Sequence, residues 1–410
     1  MFHEIIVIGG GASGLIAAIT AKDKGKDVAI LESNIRIGTK ILSTGNGRCN
    51  ITNKFVSSSR YHSQNPTFFN YALNKFTLKN TMDFFYSLGL PLTTLDDGKM
   101  YPLSLQASSV LDIFRMALDD RSIPIYLNSK VKEIKRTKSG FTIIVSNGDA
   151  YECTKVILCC GGKSAPNTGS DGSGFILANK LGHKIIPPLP ALVQLKLDYS
   201  NLKAISGIKF NGFAEISVNG ISKRKDFGEI LFTDYGISGP PILQLSSIAS
   251  ESLYKRESVS LTIDMMPDVE KESLINFFEN HWGMFSYRSV FNSLIGLINK
   301  KIIPILLKEA SITNIHKPCY ELTWQDKQNL FNILKGWTFV INGTNSFNNS
   351  QVTTGGIDTI DVNSKTLESN IIKNLYFAGE ILDVDGDCGG FNLQWAWSSG
   401  FIAGNNAADK

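Results

Sequence analysis

A strand-like run, a glycine turn and an acid stand in fixed order at the start of this chain. Residues 5 to 14 read Ile-Ile-Val-Ile-Gly-Gly-Gly-Ala-Ser-Gly. Ile5 to Ile8 has the continuous apolar text of a strand buried on both faces. Gly9, Gly11 and Gly14 then fit the G-x-G-x-x-G spacing. Gly9 serves the tight turn, Gly11 lets backbone approach a pyrophosphate, and Gly14 lets the following helix lie against the strand. That helix, over about Ala12 to Lys24, aims free N–H groups and a positive dipole end at the phosphates. Val28 to Leu31 reads as a second strand with Glu32 at its end. A carboxylate there accepts hydrogen bonds from the ribose hydroxyls of an adenosine half and repels a 2′-phosphate, which disfavours NADP at this site. A glycine-rich loop alone is an ordinary turn. The arrival of strand, turn, helix and acid at the right spacing makes this a dinucleotide site.

With 410 residues the chain exceeds one ordinary domain, and 43% hydrophobic with 19% charged residues is the balance of a globular protein with a real core. No apolar run reaches membrane-spanning length, so no membrane association is expected. The first strand begins at once and leaves no room for a signal peptide, so a cytoplasmic location is expected. Six cysteines without a C-x-x-C pair give no disulfide framework and no zinc site, and five dispersed histidines give no metal centre. A net charge of +4 permits an anionic or nucleic-acid partner without arguing for one.

Beyond Glu32, a loop from Ile37 to Asn53 is long enough to suggest function. Helical text follows over Pro66–Leu88 and Ala107–Leu118, with a turn at Asp97-Gly98-Lys99. Short strands are expected at Ile123–Leu127, Val131–Arg136, Phe141–Ser146, Tyr151–Cys153 and Lys155–Cys160, with a hairpin turn at 146–149. Gly161-Gly162 ends the last of these. Pro187, Pro188 and Pro190 mark a boundary. Strand and turn text then runs to about 265, helical text covers 268–335, and Leu375 to Ala378 leads to Gly379-Glu380 and a helix over Phe391–Ala407. The expected organisation is a discontinuous nucleotide domain (1–190 and 343–410) with an inserted β-rich domain (191–266) and a helical subdomain (267–342).

Three segments should converge on one cofactor: the fingerprint with Glu32, the loop from Gly38 to Asn53, and Gly379 to Asp383 with Gly389 to Leu393. Asp383 can hold a ribityl chain, Gly379 can sit near a pyrophosphate, and the helix beginning at Phe391 can point its N-terminus at a flavin's N1–C2=O edge.

These texts carry a family resemblance. Gly45-Asn46-Gly47-Arg48-Cys49-Asn50-Ile51-Thr52-Asn53, Gly161-Gly162-Lys163-Ser164, Leu231 to Pro240, Val352 to Ile357, Thr366 to Ser369 and Gly379 to Gln394 join the fingerprint over nearly the whole chain. The chain resembles the BaiN/RdsA-type (YhiN-like) NAD(P)/FAD-dependent oxidoreductases. Thr39, Asn46 and Asp387-Cys388 depart from the usual text. The resemblance implies an α/β, Rossmann-like FAD-binding domain of the two-dinucleotide-binding-domain flavoprotein type, with an inserted β-barrel-like domain and a helical subdomain. It implies non-covalent FAD, with NADH or NADPH as a transient reductant, since no second glycine fingerprint is visible. It carries over as FAD contacts Gly9, Gly11, Ala12, Ser13, Gly14, Glu32, Ser33, Lys40, Gly45, Arg48, Cys49, Asn50, Gly161, Gly379, Glu380, Asp383, Gly390, Asn392 and Leu393, with Val131 meeting the adenine through its backbone.

Activities associated with that family are reduction of conjugated C=C bonds in steroid-like molecules, oxidation of small amino-ketones, and reduction of uridine in ribosomal RNA. The reductive reactions need a proton donor. Cys49 is the leading candidate, because an adjacent Arg48 would lower a thiol pKa; the competing reading is a small residue packed against the flavin. Tyr101, Tyr235 and Asp234 are weaker candidates, more simply read as hydrogen-bonding groups at turns. Three functions follow: a reductase of small molecules using NAD(P)H, a ribosomal RNA dihydrouridine synthase, or a non-catalytic flavin-bound interaction protein. The RNA reading calls for a basic surface, for which Lys203, Lys209, Lys223, Arg224 and Lys225 are available, although Lys223-Arg224-Lys225 reads more simply as a solvated hairpin tip. Of Trp395 and Trp397, two apart on a helix, one should enter the core and the other face a pocket or interface.

Overall fold

The structure is a computed structural model and describes residues 1–409. It divides into two compact units. The first is Met1–Pro190 with the segment from Phe347 onward, and the second is Ala191–Ser346.

The first unit is built on a seven-stranded sheet. Strand β1 (Phe2–Ile8) leads into helix α1 (Ala12–Asp23) and strand β2 (Val28–Leu31). A two-residue strand, β3 (Tyr61–His62), lies outside this sheet. Then come β4 (Ile125–Tyr126), β5 (Val131–Arg136), β6 (Phe141–Val145) and β7 (Ala150–Leu158). After the second unit, the chain returns with β8 (Leu375–Phe377), β9 (Asp385–Gly386) and helix α2 (Phe391–Ala408). The sheet order is β4-β2-β1-β7-β6-β5, and β8 also pairs with β7.

The two expected strands 151–153 and 155–160 are one strand, β7. Its first half runs antiparallel to β6, with Cys153 opposite Phe141, and its second half runs parallel to β8, with Leu158 opposite Phe377. Change of neighbour part-way along a continuous strand is what made its text look interrupted. Ile8 lies opposite both Leu31 and Leu158, so the carboxyl ends of β2, β1, β7 and β8 finish in register. In open α/β sheets that edge is where ligands bind. Helices α1 and α2 are apolar nearly all round. Every residue of α1 from Ser13 to Ala21 is buried, as expected of a core helix.

The second unit contains a closed six-stranded barrel, in the order 195–198, 236–238, 221–232, 209–218, 259–264 and 337–344. Alternate residues of Val259–Asp264 and Trp337–Thr344 are buried, the inward/outward period of a small barrel. Helices at 271–284, 290–294, 303–309 and 324–336 share one apolar core with the barrel through Leu274, Phe278, Leu306 and Phe331. The boundary expected at 342/343 therefore falls inside the last barrel strand. The text Trp-Thr-Phe-Val-Ile there has period two and belongs with the strands rather than the helices before it. Among the described residues no helix is long and apolar enough to cross a membrane.

Candidate flavin site

The sequence brings the fingerprint into the geometry its glycines suggest. A Cβ on Gly14 would lie 1.9 Å from the Gly9 carbonyl oxygen, so only glycine lets α1 start this close to β1. A Cβ on Gly11 would meet nothing within 4 Å, leaving open space where a pyrophosphate has to approach backbone. Glu32 is buried at the end of β2 and accepts from the Gly10 N–H (2.7 Å) and the Asn34 N–H (2.8 Å), and Ser33 Oγ donates to it (3.2 Å). Its carboxylate is thus fixed beside the glycine turn. Ser129 N–H donates to the Glu32 carbonyl (2.8 Å), which sets the head of β5, and with it Val131, next to this corner.

The C-terminal segment closes on the same sheet edge. Ser13 Oγ donates to the Ala378 carbonyl (3.2 Å), Gly379 N–H donates to Ser399 Oγ (2.9 Å), and Trp395 Nε1 donates to the Gly379 carbonyl (3.2 Å). Glu380 accepts from Lys40 Nζ (2.6 Å) and from the Thr353 N–H (2.8 Å). Gly161 lies half-buried just past β7. Asp383 is buried and accepts from the Gln64 N–H (2.9 Å) and Ser63 Oγ (3.4 Å). Gly390 caps α2 with φ +99°, and the first bond within the helix runs from Gln394 N–H to its carbonyl (3.0 Å). The N–H groups of Phe391, Asn392 and Leu393 form the orphan-rich first turn of that helix.

Side chains on the 37–53 loop behave differently from their sequence reading. The loop is helical over 39–43, and Gly45 and Asn46 just beyond have left-handed backbone (φ 56° and 55°). Cys49 is fully buried, and burial pushes its thiol up to about 12 despite a hydrogen bond with Thr44. The exposed Arg48 does not lower it: its guanidinium lies over the Tyr101 ring, 5.1 Å from the centroid. Desolvation outweighs the neighbouring cation. Asn50 is 8% exposed, and its Oδ1 is buried with no hydrogen-bond donor. That atom lies 2.9 Å from the position a Cβ on Gly390 would take. Gly45 packs beside it, its added Cβ 2.8 Å from the Asn50 nitrogen. The amide of Asn392 is used inside the loop, accepting from Gly386 N–H (2.8 Å) and donating to Gly386 O (2.7 Å), so only its backbone is left to face a ligand.

Asp234 and Tyr235 stand exposed on a turn of the second unit. Tyr101 is buried beneath Arg48. In the basic hairpin, Arg224 pairs with Asp226 (2.6 Å), Lys209 with Glu229 (3.2 Å), and Lys225 covers the Phe213 ring. Trp395 and Trp397 are both buried, contrary to the expected split. Trp397 Nε1 donates to the Ile51 carbonyl (2.9 Å) between Phe85 and Phe114, because α2 runs through the core rather than along a surface.

One cluster escaped the sequence reading. Asp387 is 4% exposed and accepts from His62 Nε2 (3.0 Å) and Arg60 Nη1 (3.3 Å). Its partners lie 325 and 327 residues away, and only the alternation Asp383, Asp385, Asp387 hinted at it.

The sequence profile of the HI0933-like protein Rossmann domain matches residues 3–406. The chain belongs to this family. It is 40% identical over 410 residues to a 3-dehydro-bile acid delta(4,6)-reductase of Clostridium scindens, with 100% of both chains covered. It is 32% identical over 397 residues to a ribosomal RNA dihydrouridine synthase of Escherichia coli K12, covering 97% of this chain and 96% of the other. A quinol-fumarate reductase solved with menaquinol overlays with TM-score 0.50 at 15% identity, over 100% of this chain and 71% of that one, a likeness of fold. The protein is an FAD-dependent oxidoreductase with a Rossmann-like FAD-binding domain.

The residues fit FAD. Open space at Gly11, the anchored Glu32 and the donor-less Asn50 Oδ1 beside the α2 N-terminus are features that a flavin dinucleotide would complete. Bound FAD supplies two-electron redox chemistry. Glu32 would hold the adenosine ribose, the α1 N-terminus the pyrophosphate and Asp383 the ribityl chain. The α2 N-terminus would favour negative charge on the ring system. Among the described residues no group of three or more His, Cys, Asp or Glu could hold a metal ion.

Proposed function

We propose that the protein reduces a conjugated C=C bond in a keto-steroid of the bile-acid class, taking electrons from NADH or NADPH that binds transiently. The observation that carries this reading is end-to-end likeness, at 40% identity, to a reductase whose name specifies that substrate. The flavin site supports it: glycines, Glu32, Lys40, Asn50, Asp383 and two helix N-termini converge at the sheet edge, and Glu32 disfavours a 2′-phosphate only at the FAD position. Of the remaining expected contacts, Ala12, Ser33, Arg48, Glu380 and Leu393 lie on those same segments, Val131 on β5 and Gly161 just past β7. We place the reaction in the cytoplasm.

The test is anaerobic incubation of the yellow protein with a 3-oxo-Δ4,6 bile acid and each nicotinamide. The expected outcome is loss of the dienone absorbance and a product heavier by two hydrogens. Failure with every enone, combined with dihydrouridine loss from the ribosomal RNA of a deletion strain, selects the second reading. That reading is favoured by the 31–32% identical relatives named as ribosomal RNA dihydrouridine synthases.

A further inference from the structure

The His62–Asp387–Arg60 cluster has the layout of a supported acid rather than of a surface ion pair. Asp387 is buried, while its two cationic partners are partly open to solvent, with side-chain exposures of 39% for His62 and 42% for Arg60. A buried carboxylate that accepts from one ring nitrogen fixes the imidazole's orientation and stabilises its protonated form. Local architecture holds the ring in place. Tyr61 and His62 form β3, which pairs antiparallel with β9, so that His62 lies opposite Asp385 and Tyr61 opposite Gly386. Tyr61 Oη donates to the Phe391 carbonyl (3.2 Å), the Arg60 guanidinium lies over the Phe391 ring (5.5 Å), and Gln64 N–H is bound to Asp383. The stretch from Arg60 to Gln64 is therefore fastened at several points to the segment that leads into the α2 N-terminus. His62 pairs with Asp387 and lies opposite Asp385; Arg60 shares Asp387, Asp383 binds the two residues after His62, and Lys99 is in electrostatic contact with Cys388 beside Asp387.

We propose that His62, oriented by Asp387, donates the proton to the carbonyl oxygen of the conjugated substrate. The inference rests on the enone-reductase reading above. Saturating the C=C bond requires a hydride on the carbon remote from the ketone. The established flavin chemistry supplies that hydride and its electron pair. As the new C–H bond forms, the π electrons move through the conjugated system onto the ketone oxygen. His62 gives that oxygen its proton, the dienol tautomerises to a ketone with one C=C bond fewer, and the neutral imidazole regains a proton from solvent. Cys49, whose thiol sits near 12 in the core, is a poorer donor at neutral pH. Arg60 Nη1 shares the same carboxylate (3.3 Å).

Two holoenzyme variants test the assignment, H62Q and D387N, with flavin content and melting temperature measured on each. In the wild type, reoxidation of the dithionite-reduced protein by a 3-oxo-Δ4,6 bile acid should slow as pH rises through the imidazole's titration. H62Q should slow this half-reaction by about 100-fold and remove that pH dependence, while reduction by dithionite is unchanged. D387N retains the acid but loses its support, so the pH limb should move lower. A second readout needs no turnover. Binding of 4-nitrophenol to the oxidised holoenzyme should favour its phenolate, a mimic of the charged oxygen, and H62Q should weaken that binding about tenfold. Wild-type rates and pH profile in H62Q, or an unmoved limb in D387N, overturn the proposal. If H62Q proves unstable, the D387N profile decides. If no enone is reduced by the wild type, the substrate reading fails, and the phenolate measurement still decides whether His62 presents a proton to an oxyanion.

Discussion

The Gly9–Gly14 junction and the Gly379–Asn392 junction both carry the chain from a parallel strand into a buried helix, yet only the first is made of near neighbours. In the first, the turn, the helix start and the acid on the next strand interact within 22 residues, and Gly10 N–H reaches Glu32 directly. In the second, local bonds such as Gly379 N–H to Ser399 Oγ are joined by fixed points distant in sequence: Ser13 for Ala378, Gln64 for Asp383, His62 for Asp387, and Asn53 for Gly389, whose carbonyl accepts from Asn53 Nδ2 (2.8 Å). A local device can be recognised by spacing. A device assembled from afar can be recognised only as a likeness, and its working parts come to light once the chain has folded.

The two junctions meet where α1 crosses α2, and the largest expected effects lie there. A Cβ on Gly400 would come within 2.3 Å of the Ser13 carbonyl oxygen, much as one on Gly14 would strike Gly9. Both obstacles are backbone, which cannot step aside. Gly14→Val and Gly400→Val should each cost upward of about 4 kcal/mol and yield colourless or insoluble protein. If G400V binds FAD normally and melts with the wild type, the second junction is looser than the first and the comparison fails. Trp397→Ala comes next, at about 3–5 kcal/mol by chemical denaturation, from a lost indole volume and an unpaired Ile51 carbonyl. Its effect should be on stability, with the FAD spectrum of the folded fraction unchanged.

A gentler pair of substitutions compares the ligand ends of the junctions. Glu32→Ala removes the acceptor for Gly10 N–H and the one proposed for a ribose, and Asp383→Ala removes the acceptor for Gln64 N–H and the one proposed for the ribityl chain. A charge-assisted hydrogen bond is worth about 1.5–3 kcal/mol, so each should raise the FAD dissociation constant by about 10- to 100-fold in equilibrium titration. The difference between them sharpens the contrast. E32A should act on affinity alone, whereas D383A, by freeing the 60–64 stretch, should also lower the rate of enone reduction.

Most of the first unit's sheet was legible in the text: β1, α1, β2, β5, β6 and α2 fall where periodicity and turn residues put them. Long uniform patterns survive folding because the same contacts that they imply are the ones made. The barrel's last strand was run together with the helical text before it, although Gly336 stands at the change of period and could have marked it. At the site, Glu32 and the glycines could be read because their partners are local. Asn50 was reached through family likeness, and its orphaned oxygen could not have been. The lowering of the Cys49 thiol expected from Arg48 fails for a related reason, while the competing reading of a small buried residue fits. Arg48 is its neighbour in the chain, but whether a neighbour's charge or the surrounding apolar volume sets a pKa depends on where the side chains turn. Here one turns inward and the other lies over Tyr101.

That last point leads to an effect absent at neutral pH and spread over the core instead of the site. Cys49, Cys153 and Cys159 are each pushed up to about 12 by burial, from an ordinary value of 9.0. An acid whose folded pKa lies above its unfolded one stays protonated in the native state after the unfolded chain has begun to ionise. The unfolded state then holds fewer protons, and stability falls as pH rises. The loss should be absent below about pH 8 and should grow between 9 and 12, by at most about 1.4 kcal/mol per pH unit for each thiol. Cys49→Ser should flatten the alkaline decline of the melting temperature slightly, with the activity profile between pH 6 and 8 unchanged. A melting temperature that is level from pH 8 to 10.5 would mean that the thiols ionise in place. Cys49 would then be open to solvent, and its role as a proton donor would return to contention against His62.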